Sequence, residues 1–382
     1  MNKESAYWIA LAHLPRWGHL KINNLIIKFY HENKLSIEDF FQLPENDWKN
    51  FYGLEYNEVE DLKRAKSELA NNAFMAESLN NEGYELIPIT SPEYSRTLKE
   101  NLKAAHTPAL LYVKGNKQIL QENSIAIVGS RNAMDKSLEF TDNIARLASR
   151  EYKVVVSGFA KGVDKQALDS AINYKGQSII VLPQGIMTFG SGFKKYYKQI
   201  VDGDVLVLST FFSKAPWRAE LAMARNPIIY GLASEIYVAE SSDKGGTWSG
   251  VMDGLRKNRK IYVRKPDLDE NNANNLLIQK GAIAVDFNGN PLPDYKHSLN
   301  EVNQLRLNEP SVNYETQILD LLKTGEYTAK DIIKRLQLTW SEKRLRDYLK
   351  SKELVETINK KPLRFTVKDA SLILKQKSLF DD

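Results

Sequence analysis

Glycine, serine and arginine placed together where an apolar run ends can hold an anion. Glycine lets backbone N–H groups approach a phosphate, serine adds a hydroxyl, and arginine adds a permanently charged fork of donors matched to phosphate oxygens. Val128 is followed by Gly129-Ser130-Arg131. Two later apolar runs end similarly. Val156 precedes Ser157-Gly158-Phe159-Ala160-Lys161-Gly162-Val163-Asp164, and Leu182 precedes Pro183-Gln184-Gly185. One such loop is ordinary turn geometry, whereas three on one edge would form a phosphate-binding rim. Gly129, Ser130, Arg131, Ser157, Gly158, Lys161, Gly162 and Gly185 are therefore candidate ligands. A basic–amide pair, Arg225-Asn226, could read phosphate or base. The run Lys244-Gly245-Gly246-Thr247 ahead of a helical pattern is another anion cradle. The dinucleotide fingerprint Gly-x-Gly-x-x-Gly is absent after the first run, and no P-loop Gly-x-x-x-x-Gly-Lys-Ser/Thr occurs.

These loops need elements that bring them to one edge. Residues 124–285 alternate short apolar runs with helical patterns. Strands are expected at 125–128, 154–156, 179–182, 205–208, 236–239, 260–263 and 282–285. Fully apolar strands alternating with helices predict a parallel sheet covered on both faces, with ligands outside the carboxyl ends of its strands. Two further strands are expected at 83–89 and 108–116. Residues 1–80 read as a helical domain. Its Ser36 is a helix cap with Asp39 as its partner, and 58–79 is one long helix. Residues 81–287 form the α/β domain, 288–312 a linker, and 313–382 a C-terminal domain. There Thr328 and Ser341 are expected caps, and a hairpin spans 354–367. Three helices and a hairpin describe a winged helix.

At 382 residues the chain has material for two to four domains, and 42% hydrophobic with 26% charged residues is ordinary globular composition. Cysteine is absent, which excludes disulfides, thiolate metal sites and a cysteine nucleophile. No histidine lies between residues 107 and 296, so chemistry in the central domain would run without imidazole. No apolar run is long enough to span a membrane, and Met1–Ser5 leads into no apolar signal core, so the cytoplasm is expected and a membrane partner is not. The net charge is +5, yet residues 330–365 alone hold eleven Lys/Arg against five acids. A basic surface of that kind favours nucleic acid. Lys343, Arg344, Arg346 and Lys350 would lie on or near the recognition helix, with Lys360, Lys361 and Arg364 on the wing.

The run Pro108–Asn116, the segment Ile125–Arg131, the segment Val156–Asp164, the pair Arg225-Asn226 and the segment Leu277-Ile278-Gln279-Lys280-Gly281-Ala282 resemble, in order and spacing, the DprA/Smf family of DNA-processing proteins. The resemblance covers roughly residues 84–285. It implies an α/β fold with an extended Rossmann-like parallel sheet core, an N-terminal helical, SAM-like domain and a C-terminal winged helix. It also implies homodimerisation through the Rossmann-like domain and non-catalytic binding of single-stranded DNA, which such proteins protect during DNA uptake while helping to load RecA. No cofactor or metal is implied. The family's DNA pocket uses the Gly-Ser-Arg loop and the Arg-Asn segment, here Gly129, Ser130, Arg131, Arg225 and Asn226.

This chain departs from the pattern at several positions. Pro227 stands where the family has a second arginine, and Ala222 where it has an aromatic available for stacking. Leu168 replaces a histidine, a Tyr-Pro pair is missing around Met187-Thr188-Phe189, and Lys244-Gly245-Gly246-Thr247 is closer to the phosphate loop of lysine-decarboxylase-like nucleotide-processing proteins. These departures suggest a divergent member and motivate two alternatives. One is a role in phage defence or in a toxin–antitoxin system, as an antitoxin or sensor that binds a neighbouring toxin protein, DNA or a nucleotide. The other is a nucleotide-cleaving enzyme with Asp164 or Glu240 as acid/base.

Overall fold

The computed structural model describes residues 4–267, 269–295, 314–338, 340–352, 354–358 and 361–368. The chain divides into two compact units, Met1–Leu299 and Asn300–Asp382. Lys360, residues 296–312 of the expected linker and residues 369–382 lie outside the described residues.

The first unit is built on a nine-stranded sheet. Its strands are β1 (Glu85–Pro88), β2 (Leu110–Lys114), β3 (Ser124–Val128), β4 (Val154–Ser157), β5 (Ser178–Val181), β6 (Val205–Ser209), β7 (Glu235–Val238), β8 (Lys260–Arg264) and β9 (Ile283–Val285). Their spatial order is β1-β2-β6-β5-β4-β3-β7-β8-β9. The seven strands from β6 to β9 pair in parallel, whereas β1 and β2 extend the sheet antiparallel beyond β6. The chain runs outward from β3 through β4, β5 and β6, then returns to β7 on the other side of β3. That reversal is a topological switch point, where open α/β sheets leave a crevice.

Strands β3 to β6 are buried along their whole length because helices cover both faces. On one face the N-terminal helices share a hydrophobic cluster with the sheet, joining Trp8, Leu11, Phe40 and Trp48 to Tyr112, Ile180, Leu182 and Val207. Full burial of each such aliphatic side chain contributes about 1.5–3 kcal/mol. The expected cap at Ser36 is present, with Ser36 and Asp39 each accepting the other's backbone N–H. The helix expected over 58–79 is instead two, Tyr56–Ser67 and Leu69–Asn81, meeting at Glu68. A helix that the sequence pattern does not announce, Arg96–His106, is capped by the Ser95 hydroxyl and packs Leu98 and Leu102 against Gly231.

Residues 286–295, which include the expected start of the linker at 288, remain attached to the sheet. The Asp286 carboxylate holds the turn by accepting from Asn288 and Asn290, and the Leu292 N–H donates to the Ala284 carbonyl (2.8 Å). Among the described residues no helix is long and apolar enough to cross a membrane.

The second unit contains helices Tyr314–Lys323, Ala329–Leu336 and Glu342–Lys350 with a three-stranded antiparallel sheet. The strands are β10 (Tyr327–Thr328), β11 (Val355–Ile358) and β12 (Arg364–Val367), in the order β10-β12-β11. Thr328 and Ser341 cap the second and third helices. Ile318, Leu322, Ile332, Leu345, Leu349 and Phe365 form its core.

Candidate functional site

The loops after β3, β4 and β5 leave neighbouring strands, and the loop after β7 flanks β3 from the other side. A cleft of about 410 Å³ opens at the switch point, lined by Gly129, Ser130, Arg131, Asp164, Arg225, Asn226, Lys244, Gly245, Gly246 and Thr247. A second recess of about 330 Å³ is lined by Arg131, Gly158, Phe159, Lys161, Gln184, Trp217 and Arg225. The two share Arg131, Ala160, Ala222 and Arg225, so they form one groove across the carboxyl edge of the sheet.

Arg131 stands at the middle of this groove. Its side chain is exposed and, among the described residues, forms no ion pair. Lys161 and Lys244 are exposed on either side. Three helices start at the groove, Val163–Asn173, Ala219–Leu232 and Gly246–Arg256, and none has a side-chain cap. The positive ends of their dipoles favour an anion, although the Val163 N–H is already donated to the Ser130 carbonyl (3.3 Å). The Thr247 hydroxyl donates to the Gly129 carbonyl (3.2 Å), which ties the β7 loop to the β3 loop. Asn226 lies against Gly246, with its amide nitrogen 3.0 Å from where a Cβ would stand.

Several candidate residues build the groove from beneath. The Ser157 hydroxyl is fully buried and donates to the Ile127 carbonyl (2.8 Å), so it joins strands and does not face a ligand. The Ser130 N–H donates to the Glu240 carbonyl (2.9 Å), while its hydroxyl accepts from the Asn132 N–H (3.2 Å). Gly162, at φ +84, lies so close to the β3 loop that a Cβ would fall 2.4 Å from the Ser130 carbonyl oxygen. Gly185 lies beneath the segment 212–215. A Cβ there would meet the Phe212 and Ser213 carbonyl oxygens at 2.3 and 2.4 Å, and its N–H already donates to the Ala215 carbonyl (2.8 Å). Gly185 therefore acts as a close-packing residue and not as an anion cradle.

Arg225 differs most from its expected role. It is 4% exposed, and its Nη1 donates to the Val181 carbonyl (2.6 Å). Gly158 makes room for it, since a Cβ would fall 2.0 Å from that Nη1. The Arg225 Nε is buried with no hydrogen-bond partner among the described residues, a donor that a bound acceptor or water would satisfy. Asp164 is its buried counter-charge. Burial pushes the Asp164 carboxyl above the usual carboxylate range, while Arg225, the Ala160 N–H, Arg131 and the Gly158 N–H oppose that shift. Two cations thus flank one buried carboxylate, which leaves the floor of the groove net positive.

Glu240 is committed to structure. Its carboxylate accepts from the Met134 N–H (2.9 Å) and the Ser137 hydroxyl (2.8 Å), and Ser137 accepts from Arg264, which is paired with Glu270. Glu240 lines neither part of the groove, and Asp164, which does line it, is buried beside Arg225. Among the described residues no three His, Asp or Glu side chains gather as a metal ion would need.

Sequence reasoning passed over the segment Lys214-Ala215-Pro216-Trp217-Arg218, which brings Trp217 into the groove beside Arg131. The available signal was a tryptophan set between two basic residues, Lys214 and Arg218. In the second unit Lys343, Arg344, Arg346, Lys350 and Lys361 are exposed. Arg344 stacks on Trp340 (4.9 Å), and Arg346 donates to the Glu342 carbonyl (3.2 Å). Arg364 is half-buried and directed at the Glu326 carbonyl (3.5 Å), so it is partly spent within the fold.

Known proteins are similar to this chain in sequence and in fold. The chain is similar to Protein Smf of Synechocystis sp., at 26% identity over 300 residues covering 74% of this chain and 71% of that protein. It is similar to DNA processing protein DprA of Streptococcus pneumoniae, at 28% identity over 194 residues covering 50% of this chain and 67% of that protein. Its fold is similar to the X-ray structure of DNA processing protein A (DprA) from Streptococcus pneumoniae, with TM-score 0.60 and 22% identity, covering 73% of this chain and 93% of that one. The model of the family described as DNA recombination-mediator protein A matches residues 85–291, from β1 to just past β9 and thus the whole sheet that carries the groove. With more than half of its length matched, the chain belongs to the DNA recombination-mediator protein A family, the DprA/Smf proteins.

Proposed function

We propose that this chain binds single-stranded DNA in the groove at the carboxyl edge of its sheet. In this reading it is a non-catalytic DNA-processing protein that protects DNA during uptake and recombination and assists RecA loading, with two copies associating through the Rossmann-like domain. The relatives named DNA processing protein support DNA as the ligand. The observation that carries the reading is the gathering of four strand-end loops and three uncapped helix N-termini around exposed Arg131. Arg131, Lys161 and Lys244 would take phosphates, because charge-assisted hydrogen bonds to phosphate are the strong ones. A single strand can follow such a cationic groove while its bases stack on aromatic rings. The buried Arg225–Asp164 arrangement and the committed Glu240 support binding over hydrolysis. Read as a winged helix, the second unit would add a basic surface through Lys343, Arg344, Arg346 and Lys350.

Titration of a labelled single strand by fluorescence anisotropy, at several salt concentrations, tests the reading. Arg131→Ala should weaken binding and reduce the salt slope by about 0.7 for each phosphate that the protein no longer neutralises. Equal affinities for wild type and Arg131→Ala would remove the groove from DNA binding.

A further inference from the structure

We infer that Trp217 is the base-stacking surface of this site, presented by a pinned arm spanning residues 212–218. The inference rests on the reading that the groove holds a single-stranded polynucleotide, and it identifies the side chain that meets the bases.

Trp217 is 53% exposed and lines the recess that also holds Arg131, Lys161 and Gln184. An indole half exposed to water and set beside cations in a concave site offers apolar, polarisable surface to a planar ligand. The other aromatic residues of the recess are engaged elsewhere. Phe159 packs edge-on against Phe189 (5.0 Å) and Tyr196 (5.7 Å), and Phe189 is buried. Tyr230, at the other end of the groove, is buried too. Phe212, exposed at the other end of the same arm, meets His13 edge-on (5.5 Å), and neither it nor any exposed aromatic besides Trp217 among the described residues lines either part of the groove. Among the described residues, Trp217 is therefore the large exposed aromatic of the site. Ala222, one turn along the helix that follows, lines both parts of the groove with only a methyl group, so no larger side chain occupies that wall.

A stacking platform must also be held still, and the arm is. Gly185 donates to the Ala215 carbonyl (2.8 Å), Met187 to the Ser213 carbonyl (3.0 Å), and the Ala215 N–H to the Phe212 carbonyl (2.8 Å). The buried Ser213 hydroxyl points at the Met75 sulfur (3.0 Å). Arg218 ends the arm where the helix Ala219–Leu232 begins. The ring thus projects from a backbone fixed at both ends, which limits the entropy lost when a base stacks on it.

The test compares a short oligo-dT with an abasic strand of the same length, which keeps the phosphates and removes the bases. Wild type should bind oligo-dT more tightly than the abasic strand. Trp217→Ala should lose roughly 5- to 150-fold on oligo-dT, the worth of stacking one base, and almost nothing on the abasic strand. Trp217→Phe should recover most of that loss. Arg131→Ala should weaken both strands alike. If Trp217→Ala binds oligo-dT as wild type does while Arg131→Ala is weakened, the assignment of Trp217 is overturned and the groove stands. If Trp217→Ala weakens both strands equally, the ring supports the groove without touching bases, and the assignment is again overturned. If wild type binds neither strand, the DNA-binding reading itself fails. Trp217 is exposed, so unchanged thermal unfolding of the variants should accompany the expected result.

Discussion

Arg131 and Arg225 are both arginines at the same groove, and their surroundings give them opposite duties. Arg131 is exposed and unpaired among the described residues, whereas Arg225 lies under the floor with its counter-charge Asp164. A buried guanidinium is tolerable only where charge and hydrogen bonds compensate it. Arg225→Gln should therefore destabilise the protein by on the order of 3 kcal/mol, because it leaves Asp164 buried without its cation. Adding Asp164→Asn should restore most of the stability, and the double variant measured by denaturant unfolding checks the coupling. The sign of the pH effect follows from the raised Asp164 carboxyl. The folded state holds that proton more tightly than the unfolded chain does, so this group favours folding at low pH and its contribution is lost as pH rises above the ordinary carboxylate range. The destabilisation in Arg225→Gln should accordingly be larger at neutral pH than near pH 4, and equal values would contradict the pairing. The sequence displayed Arg225 as a charged residue beside an amide. Its burial depends on Gly158, 67 positions earlier in the chain, which no local pattern reveals.

At the scale of elements, most of the site's scaffold was legible. Each expected strand of the central sheet is present within a residue or two, since short apolar runs bounded by glycine and helical patterns have few other solutions. The loops after β3, β4 and β7 all line the groove. What periodicity could not supply was contact between distant loops. The arm 212–218 is irregular, carries no repeat, and is positioned by Gly185 from the preceding crossover. Gly185→Ala would place a methyl group 2.3 Å from the Phe212 carbonyl oxygen, so the arm must lift. The expected destabilisation is about 1–3 kcal/mol, read by thermal unfolding, together with weaker binding of oligo-dT. That weakening should not add to the effect of Trp217→Ala, because both act through one ring. Full additivity would show that the arm and the glycine are independent. The helix Arg96–His106 was missed for a related reason: its apolar residues Leu98 and Leu102 are sparse, and its stability comes from packing on Gly231 far along the chain.

Across the whole first unit, the N-terminal helices support the groove as well as covering the sheet. His13 reaches the Tyr112 hydroxyl (2.8 Å) and meets the edge of Phe212, at one end of the arm, while Met75 contacts Ser213. Burial, with a smaller contribution from His19, lowers the His13 pKa from 6.5 to about 4. A histidine held neutral in the fold but free to take a proton when unfolded stabilises the native state above its ordinary pKa. That contribution is lost as pH falls from about 6.5 towards 4. The melting temperature of wild type should therefore fall more steeply over that window than that of His13→Gln, and parallel curves would contradict the buried neutral imidazole. The basic segment of the second unit was legible as charge alone. Its caps and hairpin were legible as well, because Thr328 and Ser341 announce helix starts locally.

The claim on which these levels converge is that a polynucleotide phosphate sits at Arg131, between the starts of the helices Ala219–Leu232 and Gly246–Arg256. A crystal structure of the full chain with a short oligo-dT tests it directly. The account predicts a phosphate within hydrogen-bond distance of the Arg131 guanidinium and a base lying on the Trp217 ring. An ordered strand bound elsewhere on the protein, with the groove empty, would contradict it.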